Sequence, residues 1–298
     1  MTGERGRILS TNQKGRRRPF VSTACVRGVT NSGEKSRLGP HEITLPNLYH
    51  PLTQTVLTLM KNFHFAANPT ELSEKAAEFF IETANKGINQ NGRFTVALSG
   101  GSTPKLLHQK LVSASLDWKK VFFFFGDERN VPPDRHESNF RMAFETLFHP
   151  LNIEHANIYR WQTEIGNPLE VAIDYAFRAA TFFEGFPRFD LILLGLGTDG
   201  HTASLFPQTE ALEESSDIAV ANWVDKLEEE RFTLTFPLIN NAANIAFLVS
   251  GKEKAATLKE VIEGEFRPKI LPAQSVSPAN GTLHWFADKA AASLLQRD

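Results

Sequence analysis

Four short apolar runs, residues 94–98, 121–125, 191–194 and 245–249, each end in glycine followed by polar groups. They are rich in Phe, Val, Ile and Leu and barely alternate with polar residues. That pattern fits strands covered on both faces, as in a parallel sheet. Helical periods lie between them. In residues 71–84, Leu72, Ala76, Phe79, Phe80 and Thr83 fall near one face; Pro69 precedes the stretch and Thr70 offers an N-cap. Thr103 followed by Pro104 predicts a helix reaching about Val112. Further helices are predicted over 138–148, 169–184, 252–262 and 287–295, and further strands over 232–236 and 283–286. The alternation predicts an α/β fold, a mainly parallel sheet with helices on both faces. No repeat and no linker divides residues 61–298, so they read as a single domain. In open α/β sheets the ligand sits beyond the carboxyl ends of the strands. The four run ends are therefore expected to line one crevice.

Charge separates the start of the chain from the rest. The net charge is −2 over 298 residues, yet residues 1–50 hold nine Lys+Arg against three Asp+Glu. The remainder is therefore acidic. Residues 1–60 include Arg16, Arg17 and Arg18, carry many Ser, Thr and Gly, and show no sustained apolar period, which reads as a disordered basic tail. Three origins stay open for it: an organelle transit peptide, a nucleic-acid-binding arm, or upstream sequence before a start at Met60. A lone triple Arg argues little for nucleic acid. The single cysteine, Cys25, leaves residues 61–298 without a disulfide or a thiol nucleophile, which fits a reducing, cytoplasmic setting. No apolar run approaches a membrane span. For oligomeric state, the expectation is a monomer or weak homo-oligomer.

Candidate chemistry gathers at the four run ends. After residue 98 come Ser99, Gly100, Gly101, Ser102 and Thr103, then a helix start. Adjacent glycines, hydroxyls and free helix N–H groups suit a phosphate; a plain βα turn with a Ser/Thr cap is the alternative. After residue 125 come Gly126, Asp127, Glu128 and Arg129. Charges at the end of a buried strand must be solvated, paired or ligand-bound. Arg129 could hold an anion or a developing oxyanion, oriented by a carboxylate, or could form a structural pair. After residue 249, Ser250 and Glu253 have capping-box spacing, so Lys252 and Lys254 fall in a helix's first turn, where the dipole disfavours cations. A bound anion would resolve that conflict. After residue 194 a glycine turn delivers His201, with Asp199 two residues before it to hold the imidazole's tautomer, as a general base needs. Gly195, Gly197 and Gly200 match G-x-G-x-x-G, but Pro207 closes off the long helix a dinucleotide site needs. The chain has no G-x-S-x-G and no H-E-x-x-H, and its nine histidines lack ligand spacing. Neither a cofactor nor a metal is expected, and a water-using mechanism is the simplest choice left.

Six ordered motifs together resemble the 6-phosphogluconolactonase family, in the superfamily that also holds glucosamine-6-phosphate deaminase. They are residues 98–104; Gly126-Asp-Glu-Arg129 with Ser138-Asn139; residues 195–207; Arg231-x-Thr-Leu-Thr-x-Pro237; Gly251-x-x-Lys254-Ala255; and Leu271-Pro-Ala-Gln274. Residues 1–60 lie outside the resemblance. It implies a Rossmann-like three-layer sandwich of the deaminase type and hydrolysis of 6-phospho-D-glucono-1,5-lactone to 6-phosphogluconate, the second step of the oxidative pentose phosphate pathway. It further implies His201 as the base for water, assisted by Asp199, and Arg129 at the oxyanion. Residues 99–103, Arg231 and Lys254 would hold the phosphate, with Asp127 among the substrate-binding residues. A sugar-phosphate deaminase and a non-catalytic sugar-phosphate sensor are the alternative functions.

Overall fold

The computed structural model describes residues 62–296; the expectations for residues 1–60 lie outside them. Among the described residues nine strands form two sheets. Six of them make a parallel sheet in the order β1-β9-β8-β5-β2-β3: β1 (Phe63–Ala66), β2 (Phe94–Leu98), β3 (Val121–Phe125), β5 (Leu191–Leu194), β8 (Asn244–Val249) and β9 (Thr282–Asp288). Every residue of β2 and β5 is buried, which requires cover on both faces, as the unbroken apolar runs predict. The main helices are α1 (Pro69–Asn91), α2 (Ser102–Leu111), α3 (Asn139–Ala143), α4 (Pro168–Phe183) and α5 (Ala255–Glu263).

The strand order explains where a ligand belongs. From β2 the chain proceeds to β3 on one side, then returns to place β5 on the other side of β2. That reversal is a topological switch point, and the crevice at such a point opens at the strands' carboxyl ends. The four runs singled out by the sequence are the adjacent strands β3, β2, β5 and β8, all parallel. Their four loops therefore leave the same edge.

The second sheet is antiparallel, in the order β4 (Asp127–Arg129), β7 (Glu229–Leu234), β6 (Ala219–Val224). Gly126 splices the two sheets. Its N–H donates to the Leu98 carbonyl at the end of β2, and its carbonyl accepts from Leu234 N–H on β7, both at 2.8 Å.

Several local expectations are corrected. Helix α1 starts earlier and runs further than 71–84. Asn68, not Thr70, caps it, accepting from the N–H groups of Thr70 and Glu71 at 3.0 Å. Gly87 sits inside the helix where α1 crosses β2: a Cβ there would lie 3.2 Å from the Phe94 ring. Helix α2 is capped by Gly101 without a side-chain bond, so Pro104 falls in the third position instead of the first. Only residues 139–143 of the predicted 138–148 helix are α-helical; the chain continues as a wider π-helical turn over Phe144–Phe148. The predicted strand 232–236 lies largely in β7, which is antiparallel, and Phe236 already begins a helical turn. Residues 287–295 form no helix. β9 continues through Asp288, whose buried carboxylate accepts from Ser250 Oγ, Gly251 N–H and Ala291 N–H.

Candidate active site

The cradle after β2 has the features of an anion site. Gly101 takes φ +110°, a conformation that favours glycine, and α2 starts directly afterwards with no side chain on its first N–H groups. Ser99 is buried and its hydroxyl has no hydrogen-bond partner. Asn139 lies flat against Gly100, so any Cβ there would collide with its amide. The same amide donates to the Asp127 carbonyl at 3.0 Å, tying the cradle to the small sheet.

Beyond Gly126 the three charges separate. Glu128 is 2% exposed and accepts from Ser138 Oγ and from the N–H groups of Arg129, Asn139 and Phe140, at 2.8–3.0 Å. Burial drives its pKa up, aided by the charge of Asp127, while the three backbone donors pull it down; the net shift is upward. Its role is to seat the start of α3. Asp127 is also buried, and its carboxylate accepts from Ser204 Oγ at 2.8 Å and from Asn139 Nδ2 at 3.3 Å. Arg129 is oriented differently from the sequence expectation. Its guanidinium donates to the Glu137 carbonyl, not to a carboxylate, because Asp127 and Glu128 are engaged elsewhere.

The small sheet then brings two cations together. In the β4–β7 register Arg129 stands directly opposite Arg231. Opposed residues share a face of the sheet, and like charges so placed destabilise it unless something neutralises them. Among the described residues Arg231 pairs with Glu229, at 2.6 Å. Asp127 and Thr233 occupy the next position on that face, and both bond Ser204, by its hydroxyl at 2.8 Å and its N–H at 3.3 Å. Ser204 is three residues beyond His201. The histidine's loop is thus pinned to the face that carries the two arginines.

The loop after β5 holds a histidine–carboxylate pair. His201 Nδ1 donates to Asp199 Oδ1 at 2.5 Å, and its ring stacks on Phe206 with centroids 4.1 Å apart. A carboxylate can only accept, so Nδ1 carries the hydrogen and Nε2 keeps a free lone pair. Asp199 Oδ2 accepts from Lys226 Nζ at 3.0 Å. Burial raises the pKa of Asp199, but the bonds from His201 and Lys226 outweigh it and hold the carboxyl well below the usual range. Gly197 is required here: a Cβ would come within 2.1 Å of His201 Nδ1. Thr202 Oγ1 to the Gly195 carbonyl at 2.9 Å and Thr257 Oγ1 of α5 to the Thr198 carbonyl at 2.7 Å brace the turn.

After β8, the capping box does not form. Ser250 is drawn to Asp288, Gly251 takes the cap position with φ +101°, and a 3₁₀ turn (Lys252–Lys254) precedes α5. Lys254 is half-buried, and its ammonium bonds no described residue. Sequence reasoning missed Lys226 and Ser204 as parts of the site. Lys226 sits in a charge-rich hairpin that reads as solvated surface, and nothing in the sequence pairs Ser204 with Asp127. Among the described residues no cluster of His, Cys, Asp or Glu is arranged to hold a metal ion.

A histidine oriented by a carboxylate, an uncapped helix start and two opposed arginines suit a hydrolytic site for an anionic substrate. The comparisons agree. Residues 67–285 match the family model described as glucosamine-6-phosphate isomerases/6-phosphogluconolactonase, and the chain belongs to that family. A curated 6-phosphogluconolactonase of Synechocystis sp. is 41% identical over 233 residues, covering 77% of this chain and 96% of the relative. A rice relative, "Probable 6-phosphogluconolactonase 3, chloroplastic", is 35% identical over 243 residues, 75% of this chain and 73% of its own. The solved 6-phosphogluconolactonase of Trypanosoma brucei superposes with a TM-score of 0.71 at 29% identity, covering 79% and 98% of the two chains.

Proposed function

We propose that this chain hydrolyses 6-phospho-D-glucono-1,5-lactone to 6-phosphogluconate. The observation that carries the mechanism is the His201–Asp199 pair on a loop bonded to the arginine-bearing face of the small sheet. Neutral His201 takes a proton at Nε2 from a water as its oxygen attacks C1 of the lactone. Asp199 holds the resulting imidazolium. Arg129 stabilises the tetrahedral oxyanion, a role for which its fixed guanidinium needs no reorganisation. The intermediate collapses with cleavage of the C1–ring-oxygen bond, and the imidazolium returns its proton to the departing oxygen. The carboxylic acid then ionises to give the product.

The 6-phosphate is held at a distance from this chemistry. The hydroxyls and N–H groups of residues 99–103 receive it, with Arg231 and Lys254 supplying charge. The unbonded Ser99 hydroxyl and the opposed arginines support this assignment. The reading further places the reaction in the cytoplasm, or in an organelle if residues 1–60 act as a transit peptide; no described helix is long and apolar enough to cross a membrane. The test is a coupled assay of purified protein on the lactone, corrected for spontaneous hydrolysis, beside an ammonia-release assay on glucosamine 6-phosphate. Turnover of the lactone alone is expected; turnover of the amino sugar alone overturns the proposal.

A further inference from the structure

Helix α4 carries apolar residues on two faces, an inner one and an outer one. Its inner face buries Val171, Ala172, Tyr175 and Ala179. Tyr175 stacks on Trp161, and Trp161 stacks on Phe232 of β7, so this face covers the back of the small sheet, away from the arginines. On the outer face Leu169, Ile173 and Phe177 are 60, 58 and 69% exposed, and Ile165, just before the helix, is 46% exposed. A contiguous exposed apolar ridge of this kind marks an interaction surface.

The outer residues are four apart, so they form one continuous ridge along the helix. Such i±4 ridges interdigitate with a copy of themselves at about −50°. The flanking row, Glu170, Asp174 and Arg178, is also spaced by four, and Asp174 pairs with Arg178 at 2.8 Å. An antiparallel copy centred near Ile173 would bring Leu169 onto the other copy's Phe177, with the charged row of each copy along the same margin. A two-fold contact is self-complementary in this way, residue against residue, with hydrophobic centre and opposite charges at the margin. The ridge offers on the order of 450 Å² of apolar side chain per copy, which with its polar flanks approaches the roughly 1,000 Å² total that a specific interface requires.

We infer that the outer face of α4 is the contact between two copies of this chain in a weak two-fold dimer. Sedimentation velocity of the full chain from about 1 to 100 µM, the range expected for a contact at the lower limit of size, should show the mass rising towards twice that of the chain. Ile173→Glu and Phe177→Glu, at exposed positions, should hold it at the monomer mass without lowering the thermal midpoint. In a Cys25→Ser background, Ile173→Cys should be joined to its own copy by a short bis-maleimide, because a residue on the dyad meets itself. A chain that stays monomeric at 100 µM overturns the inference, whether residues 1–61 or a membrane surface covers the ridge instead. So does a dimer that survives both glutamate substitutions.

Discussion

His201 and His108 are both held at Nδ1, and they differ in everything else. His201 donates to a carboxylate that Lys226 also grips, on a loop beyond β5 where its side chain stays partly exposed. His108, on α2, donates to Thr146 Oγ1 at 2.8 Å, and that hydroxyl donates onward to the Met142 carbonyl. It is fully buried, its Nε2 has no partner, and burial pushes its pKa down to about 4. The first ring is positioned to accept a proton and the second to refuse one. A buried histidine with a neutral partner serves packing; one with a carboxylate and an open nitrogen serves chemistry.

The sharpest way to break that contrast is to remove each ring. His201→Ala should lose roughly 10²- to 10⁴-fold in turnover, the usual worth of a general base, with an unchanged thermal midpoint. Near-normal turnover in the folded variant would remove His201 from the role. His108 should reveal itself in stability against pH instead. Its folded pKa lies below its unfolded value of about 6.5, so the unfolded chain binds the proton first and stability drains away as pH falls from about 6.5 towards 4. The loss amounts to on the order of 3 kcal/mol below that window. Burial also lowers His284 to about 4, with the nearby His64 adding to the shift, so part of the acid lability belongs to that pair. Urea unfolding at pH 7, 5.5 and 4 should show the decline, and His108→Leu should flatten it while leaving kcat alone. An unchanged slope would place the acid sensitivity elsewhere.

Smaller effects sharpen the crevice side. Arg231→Ala and Lys254→Ala should each raise KM for the phosphorylated lactone, by roughly 10- to 100-fold, as expected for a charged hydrogen bond. Unphosphorylated gluconolactone should barely register either change; equal losses on both substrates would mean that neither residue reads the phosphate. Lys226→Ala should cost least. Its ammonium is largely exposed where it meets Asp199, and such pairs contribute under about 1 kcal/mol, so a fall in kcat of a few-fold is expected.

Much of this arrangement was legible because burial and glycine leave strong marks. Unbroken apolar runs located β2, β3, β5 and β8, and the glycines after them marked the loops that carry Ser99, Arg129, His201 and Lys254. What stayed hidden depends on partners distant in sequence. Ser250 has capping-box spacing with Glu253, but Asp288, on the neighbouring strand β9, takes its hydroxyl. The antiparallel sheet was missed for the same reason: three-residue β4 follows β3 with a single intervening glycine, and only its pairing with β7 shows that the chain has changed sheets.

That single glycine also governs how the crevice can move. Gly126 belongs to two hydrogen-bond ladders at once, one towards Leu98 and one towards Leu234. The sheets cannot swing apart there without breaking one of those bonds, so the crevice has no hinge at its floor. In hydrogen exchange, the amides of Gly126 and Leu234 should open together and late, in one cooperative unit that spans both sheets. The cradle after β2 and the arginine-bearing face of the small sheet are therefore fixed relative to each other through a single residue.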